Sequence, residues 1–523
     1  MADLTTDGSQ ADVNAKIASA STGDRVIVPD GSFTWGAGGT NVAVNKAITL
    51  MGSGATTIVL ASNGPSYANG VIHVSAAGRV TALTITGASS GHVTALQCDT
   101  TNGWIVDNIT YAGGTDEAYF MYAAAWGVLH SSTIGRNSAS SELIFSRGPT
   151  DSWQTAHSMG TANNVYIEDC TFNLGGYVCD FNSNARGVVR RCTVVFDQKV
   201  DGHGKYSNTP PRGVRHMECY DNEWQYVGNY TAAELRGGSG MFFNNTTAGA
   251  TGSNILLHEY YVAQGGLGPS DYPIDDQIGV GMDPKAGGSE PYYIFGNRRP
   301  SSALWSVPEP VASNAVDLDG VINTDRDFFQ EHTGTFDGSS GVGIGTRAQM
   351  DAITPTLAGV GFWVTDEASW DTTLPAGTSG QLYVWNGSAW GLYYTPYTYP
   401  HPLRGSGDTT APTPNPSTIA SVTVNSSTQI TVVADTATDV VSPPVEYNHS
   451  IDGAYQGWQS SATRAFTGLT PSTLYSFRVK ARDAEGNETT QSSASTATTD
   501  AAPSVTASPL GNRGTRAFLI GAF

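Results

Sequence analysis

Apolar positions in this chain fall in short runs of four or five residues, divided by Gly, Asn, Asp, Ser and Thr. No sustained three-and-four spacing appears, so the pattern predicts short strands and turns rather than long helices. Within the first part of the chain a small motif recurs: a polar residue, then Asn, Cys or Ser, then usually Thr. Copies are Ser131-Ser132-Thr133-Ile134, Asp169-Cys170-Thr171-Phe172, Arg191-Cys192-Thr193-Val194, Asp221-Asn222-Glu223-Trp224 and Asn244-Asn245-Thr246-Thr247. Looser copies are Asp107-Asn108-Ile109-Thr110, with Asn108 taken as the second position, and Gly296-Asn297-Arg298-Arg299. Leu83-Thr84-Ile85-Thr86 lies one step upstream.

The short steps between copies cluster at 22 to 24 residues, and longer ones fit coils carrying insertions. A period of this size with short strands predicts a parallel β-solenoid. Successive coils then stack about 4.8 Å apart, so equivalent side chains form columns. Asn amides bond from rung to rung, and small thiols fill the column. Asn108-Ile109-Thr110 and Asn245-Thr246-Thr247 also fit a glycosylation sequon, a pattern with many chance matches.

The pattern changes after residue 314. Residues 361–365 and 381–385 read as strands, and Asn386-Gly387 marks a two-residue hairpin returning through Trp390–Tyr394. Residues 315–404 thus form a small aromatic β module. Residues 405–415 are a Gly/Pro/Thr linker, residues 416–500 alternate as a β-sandwich, and residues 501–523 are an apolar tail that either adds a strand to a neighbouring subunit, docks on its own sandwich or stays disordered.

Composition narrows the function. Only 14 % of residues are charged, and 26 basic against 46 acidic residues give a net charge of −20. Such a chain is repelled by nucleic acids and anionic membranes. No apolar stretch is long enough to span a bilayer. The start, Met1-Ala2-Asp3-Leu4, lacks the basic and apolar regions of a signal peptide, which points to folding in the cytoplasm or to a removed signal. Cys98, Cys170, Cys179, Cys192 and Cys219 show no metal-binding spacing and read as reduced core residues.

The opening, Asp12–Ile17 followed by Gly23–Pro29, resembles the cap and first coil of pectate-lyase-like right-handed parallel β-helices, and Leu50–Gly54 resembles their second coil. That family plugs its first coil with an amphipathic helix. Further segments carry the likeness on: residues 182–190, His203-Gly204, residues 212–215, Arg236–Gly238, residues 272–279 and residues 397–403. Together they resemble β-helix proteins of bacteria and their phages, over roughly residues 10–404. The segment 468–481 is similar to the tyrosine-corner region of fibronectin type III domains.

Charged residues concentrate between Asp180 and Arg236. Asp180, Arg186, Arg190, Arg191, Asp197, His203, Lys205, Arg212, Arg215, His216 and Glu218 fall there, with Asp275 and Asp276 further on. Two chemistries fit. In β-elimination on a uronate polymer, His203, Lys205, Arg186 and Arg212 supply base and charge neutralisation. In glycoside hydrolysis, Asp180 pairs with Glu218 or Asp276 across the bond. Calcium is an alternative neutraliser, but no Asp-rich calcium motif is present, and no other cofactor is expected. Arg236, Asp275, Asp276, Trp385 and Trp390 are candidate glycan contacts, although Trp385 and Trp390, with Trp363, equally suit the core of the aromatic module. The same charges also suit ion-pair ladders that only hold coils together.

The expectation is therefore an all-β protein: a right-handed parallel β-helix, a small aromatic module and a fibronectin-like sandwich. The resemblance implies a phage spike or fibre that meets bacterial surface polysaccharide, contacts other virion proteins and forms homotrimers on the virion surface. The alternatives are a secreted polysaccharide lyase or hydrolase and a purely structural filament subunit.

Overall fold

The computed structural model describes residues 2–60, 70–87, 94–113, 119–136, 142–149, 153, 155–173, 176–195, 198–204, 213–225, 231–248, 255–259, 276–281, 289–300, 304–305, 311–312, 322–406, 411–439, 445–483 and 487–503. The chain is all-β and divides into two compact units, residues 1–407 and 408–523.

The first unit is built on two long parallel sheets, compatible with a β-helix. One contains nineteen described strands and the other ten. The chain alternates between them. Gly127–His130 and Thr133–Arg136 lie in the first sheet, Glu142–Ser146 in the second, and Val165–Glu168 and Thr171–Asn173 return to the first. Register holds from pass to pass: Leu129 faces Ile167, Ile167 faces Val189, Val189 faces Cys219 and Cys219 faces Phe242. These apolar residues fill one continuous interior that runs from Val13 and Ile17 of the helix Gln10–Ser19 to Phe328. The helix is capped by Ser9, whose hydroxyl accepts from the Asp12 amide. No helix among the described residues is long and apolar enough to cross a membrane.

The repeated motif marks the bend between the two first-sheet strands of each pass. Its first residue is left-handed in pass after pass: Ala82, Asn108, Ser131, Asp169, Arg191, Asp221, Asn244 and Gly296 all have φ between 49° and 70°. A single residue in that region turns the strand without a loop. Asn and Asp tolerate it best after Gly, which explains the polar preference. The following residue turns inward and is buried. There the expected amide ladder is present: Asn222 Nδ2 donates to Asn245 Oδ1 at 3.0 Å, and Asn245 Nδ2 donates to Asn297 Oδ1 at 2.8 Å. Each amide also donates back to a preceding strand, at Val189 O, Cys219 O and Phe242 O respectively. The Cys170 and Cys192 thiols point at the equivalent carbonyls of Leu129 and Ile167. All five cysteines are unpaired and buried.

One alignment of the motif is shifted by a residue. Asn108 is not the second position but the corner, opposite Ser131, and the Ile109 amide donates to Ser132 Oγ at 3.1 Å. Asn108 takes the corner because it accepts positive φ, which leaves the inward position to Ile109.

A four-stranded mixed sheet follows within the same unit. Val342–Gly345 runs parallel to Gly361–Val364, which pairs antiparallel with Gln381–Trp385, and that strand pairs with Trp390–Tyr394. The hairpin at Asn386-Gly387 is longer than expected. Trp385 pairs with Trp390, leaving four residues in the loop, because Asn386 Oδ1 accepts from the amides of Ser388 and Ala389 and widens the turn.

The second unit holds two antiparallel sheets. Ile419–Ser426, Gln429–Ala434 and Thr463–Thr467 form one; Ala454–Gln459, Glu446–Ile451, Leu474–Arg482 and Ser495–Thr498 form the other. Ile430, Val432 and Phe466 pack against Phe477 between them, with the two phenyl rings 5.2 Å apart. The Tyr475 hydroxyl accepts from the Thr470 amide at 2.9 Å. Of the tail, residues 504–523 lie outside the described residues.

Candidate functional site

The charged patch read from sequence is divided between the two sheets. In the second sheet, Cys179 and Phe181 point into the core and Asp180 stands on the opposite face. Asp180 is in register with Asp201, and Asp201 with Glu234, giving a column of three carboxylates. Stacked acids need cations nearby. Arg236 Nε donates to Asp201 at 2.9 Å, and Lys199 pairs with Glu234. Asp180 receives less: Asn182 Nδ2 reaches one oxygen at 3.3 Å, and the other has no hydrogen-bond partner among the described residues. Burial pushes its carboxyl above the usual range, against the opposing charges of His203 and Arg236. His203 itself has Nδ1 2.6 Å from the Gly204 carbonyl. Asp276 is buried and accepts from the Gly213 amide at 2.8 Å. Lys205, Arg212, Asp197 and Asp275 lie outside the described residues.

In the first sheet, Glu218 occupies the outer face, where the aromatic module covers it completely. Its Oε2 accepts from the Tyr394 hydroxyl at 2.5 Å and its Oε1 from the Gly160 amide at 3.0 Å. Burial pushes its carboxyl up to about 7. Asp180 and Glu218 are therefore not brought together as a pair flanking a bond. They lie in different sheets, and Glu218 is sealed beneath Tyr394.

The neighbouring charges serve the same contact. Arg190 Nε donates to Glu168 at 2.8 Å, while its terminal nitrogens reach the Tyr397 carbonyl at 2.6 Å and the Thr398 carbonyl at 2.8 Å. Arg404 reaches Glu168 at 3.2 Å and also pairs with Asp169. Arg191 pairs with Asp371 and lies 4.2 Å above the Tyr399 ring. Residues 397–404 thus strap the module to the outer face of the sheet. Sequence reasoning marked both segments without joining them, because some two hundred residues separate the partners.

Arg186 and His216 form a third group. Arg186 donates to Thr155 Oγ1 at 2.7 Å, and His216 Nε2 lies 2.8 Å from Asn164 Oδ1. Arg215 pairs with Glu290 at 2.7 Å. His157 and Tyr393, which the sequence did not single out, stand beside them, with ring centroids 6.1 Å apart.

Two grooves open near these groups. One, of ≈ 340 Å³, is lined by Tyr293, Phe329, Trp385 and Tyr393 together with Asp325, Arg326 and Asn386. The other, of ≈ 530 Å³, is polar and runs beside the corner residues Asp169, Arg191, Asp221 and Asn244, with Tyr399 at its edge. Burial raises Asp221 to about 6. Trp385 lines the aromatic groove, whereas Trp390 is edge-on to Trp385 at 5.6 Å and to Phe362 at 6.2 Å, inside the module's own packing. Among the described residues no cluster of three or more His, Cys, Asp or Glu is arranged to hold a metal ion. No family model matches the chain, and no curated protein matches it.

Proposed function

We propose that this chain is a glycan-recognising spike or fibre protein of phage type, built on a right-handed β-helix and extended by a fibronectin type III-like unit. The observation that carries the reading is the groove around Trp385. Sugar rings present C–H-rich faces and a rim of hydroxyls. The groove offers the half-buried rings of Trp385 and Tyr393, backed by the buried Tyr293 and Phe329, and polar groups from Asp325, Arg326 and Asn386. The regular column of Asn amides supports a stiff, protruding role. The Tyr475–Thr470 bond and the two facing sheets support the fibronectin-like reading of residues 416–500. The net charge of −20 disfavours nucleic acid, and the resemblance implies bacterial surface polysaccharide as the partner. The resemblance to phage spikes also implies that the chain forms homotrimers and contacts other virion proteins.

A second reading, a polysaccharide lyase or hydrolase, draws on Asp180. A buried carboxylic acid with one unpartnered oxygen, beside His203, has the properties of a general acid.

The test is incubation with a panel of bacterial capsules, lipopolysaccharides and uronate polymers, following binding, reducing ends and ultraviolet absorbance. Binding without cleavage, lost in Trp385→Ala, supports recognition alone. Cleavage abolished in Asp180→Asn supports the enzyme, with an ultraviolet rise marking elimination. Absence of any binding overturns both.

A further inference from the structure

The open groove around Trp385 carries its charge unevenly. Two of its lining side chains are of charged type, Asp325 and Arg326. Arg326 is committed to its neighbour. Its Nε lies 3.1 Å from both oxygens of the buried Asp327 carboxylate, and its Nη2 donates to Oδ2 at 2.6 Å. A forked contact of this kind balances the guanidinium at the groove wall. Beside Tyr393, Glu290 and Arg215 likewise pair with each other, at 2.7 Å.

Asp325 is different. It forms no ion pair among the described residues, and its Oδ1 accepts from the Gly341 amide at 2.7 Å. Its own amide donates to the Phe328 carbonyl at 2.8 Å, so the residue is held in place at the groove wall. Asn386 supplies the opposite polarity. Its Oδ1 is filled by the Ser388 and Ala389 amides and the Ser388 hydroxyl, at 2.8 to 2.9 Å, which leaves the amide nitrogen as its donor for a guest.

A guest therefore meets an acceptor whose negative charge is unbalanced, a neutral donor and the half-buried rings of Trp385 and Tyr393. At ≈ 340 Å³ the groove is small for a ligand site and suits a short stretch of glycan. A neutral sugar matches each feature: hydroxyls donate to Asp325 and accept from Asn386, and a C–H face lies on a ring. A uronate does not. Its carboxylate would stand near Asp325 in a groove whose lining cation is already balanced, and like charges brought together in this way discriminate against a ligand.

We infer that the Trp385 groove selects sugar units without an acidic group, and that Asp325 determines this specificity by accepting sugar hydroxyls and repelling a uronate carboxylate. The inference rests on the glycan reading above and narrows its ligand class.

The experiment uses the full chain and calorimetric titration with neutral and acidic bacterial capsule oligosaccharides. Each acidic one is compared with its carboxyl-reduced form, which keeps the backbone and removes the charge. The key variant is Asp325→Asn. It keeps the Oδ1 acceptor for Gly341, and Asn tolerates the left-handed φ of 59° at this position, so its melting temperature stays at the wild-type value. In wild type, the best binder is expected to be neutral, and reduction of an acidic oligosaccharide that shares its backbone to improve binding by roughly tenfold or more. In Asp325→Asn, affinity for the neutral binder is expected to fall by about tenfold, the size of one hydrogen bond to a charged group, while binding of acidic forms holds or improves. Opposite responses of the two ligand classes would not arise from a merely structural role. An unreduced acidic oligosaccharide that binds as tightly as its reduced form, or neutral binding unmoved in Asp325→Asn, overturns the inference; if that binding is still lost in Trp385→Ala, the glycan reading stands. Binding that survives Trp385→Ala overturns the groove as the site and this inference with it. Absence of binding across the whole panel overturns both.

Discussion

Glu218 and Tyr394 meet across 176 residues of chain, and their 2.5 Å hydrogen bond joins the outer face of the parallel sheet to the last strand of the aromatic module. The contact binds a carboxyl group that no water reaches. Burial raises it from the ordinary glutamate value of 4.5 to about 7, despite the bonds from Tyr394 and Gly160 that favour the anion.

The sign of the resulting pH effect is definite. A carboxyl whose folded pKa is raised binds more protons in the folded state. Its penalty is absent below about pH 4.5, grows as pH rises through 7, and is complete above it. Glu218→Gln keeps the neutral form, with the amide donating to Tyr394. At pH 8 the variant is expected to be more stable than wild type by on the order of 3 kcal/mol, and at pH 4 nearly equal. Denaturant unfolding at the two pH values checks this.

The strap around Arg190 predicts a different response. Arg190→Ala leaves Glu168 half-matched and frees the carbonyls of Tyr397 and Thr398. Breaking such a buried pair from one side costs about 3 to 5 kcal/mol. Arg190→Lys restores charge but not the fork, so it recovers only part of the loss. Limited proteolysis within residues 397–404, together with the melting temperature, reads both effects.

Two histidines at the same interface set an acid limit. His130 is held neutral by burial to about pH 3 and His401 to about pH 4, against 6.5 when free. With folded pKa values depressed, the stability they contribute is present above pH 6.5 and is lost as pH falls toward 4 and then 3. The first unit is expected to lose tertiary near-ultraviolet circular dichroism over that window. His130→Gln should move the midpoint to lower pH, measured against the wild type in the same buffer series.

The asparagine column predicts a large loss at a site far from any charge. Asn245→Ala removes the donor to Asn297 and to the Cys219 carbonyl, and strips the acceptor of the Asn222 amide groups. Several buried groups are orphaned at once, so about 3 kcal/mol or more is expected in thermal unfolding.

The corner geometry predicts a gain. Ala82 is left-handed at φ 55° and has no side-chain hydrogen bond to justify it. Ala82→Gly is expected to stabilise the first unit by about 1 kcal/mol, since a Cβ is disfavoured there. A lowered melting temperature would contradict this account of the corner.

The parallel sheets were legible because the motif recurs at each bend. A left-handed corner selects Asn, Asp or Gly, and the inward neighbour selects small or amide side chains, so local stereochemistry is written into every pass. The slip at Asn108 shows the limit: where Asn occupies the corner and Ile the interior, composition alone misplaces the register by one. The strands of the module and the sandwich were legible from their alternation, while the wider loop after Trp385 depended on where the Asn386 side chain bonds.

The candidate site was legible only as a list of charges. Residue types marked Asp180, Arg190, His216 and Glu218 as candidates. They did not show that Asp180 faces outward from one sheet while Glu218 lies sealed beneath the module on another. Nor did they single out His157 and Tyr393, which stand 236 residues apart in the chain. Strand period and corner preference are local properties of the backbone, and the sequence alone determined them. Which outer face is covered, and so which ionisable groups are desolvated, depends on contacts between segments hundreds of residues apart, and only the tertiary structure decided that.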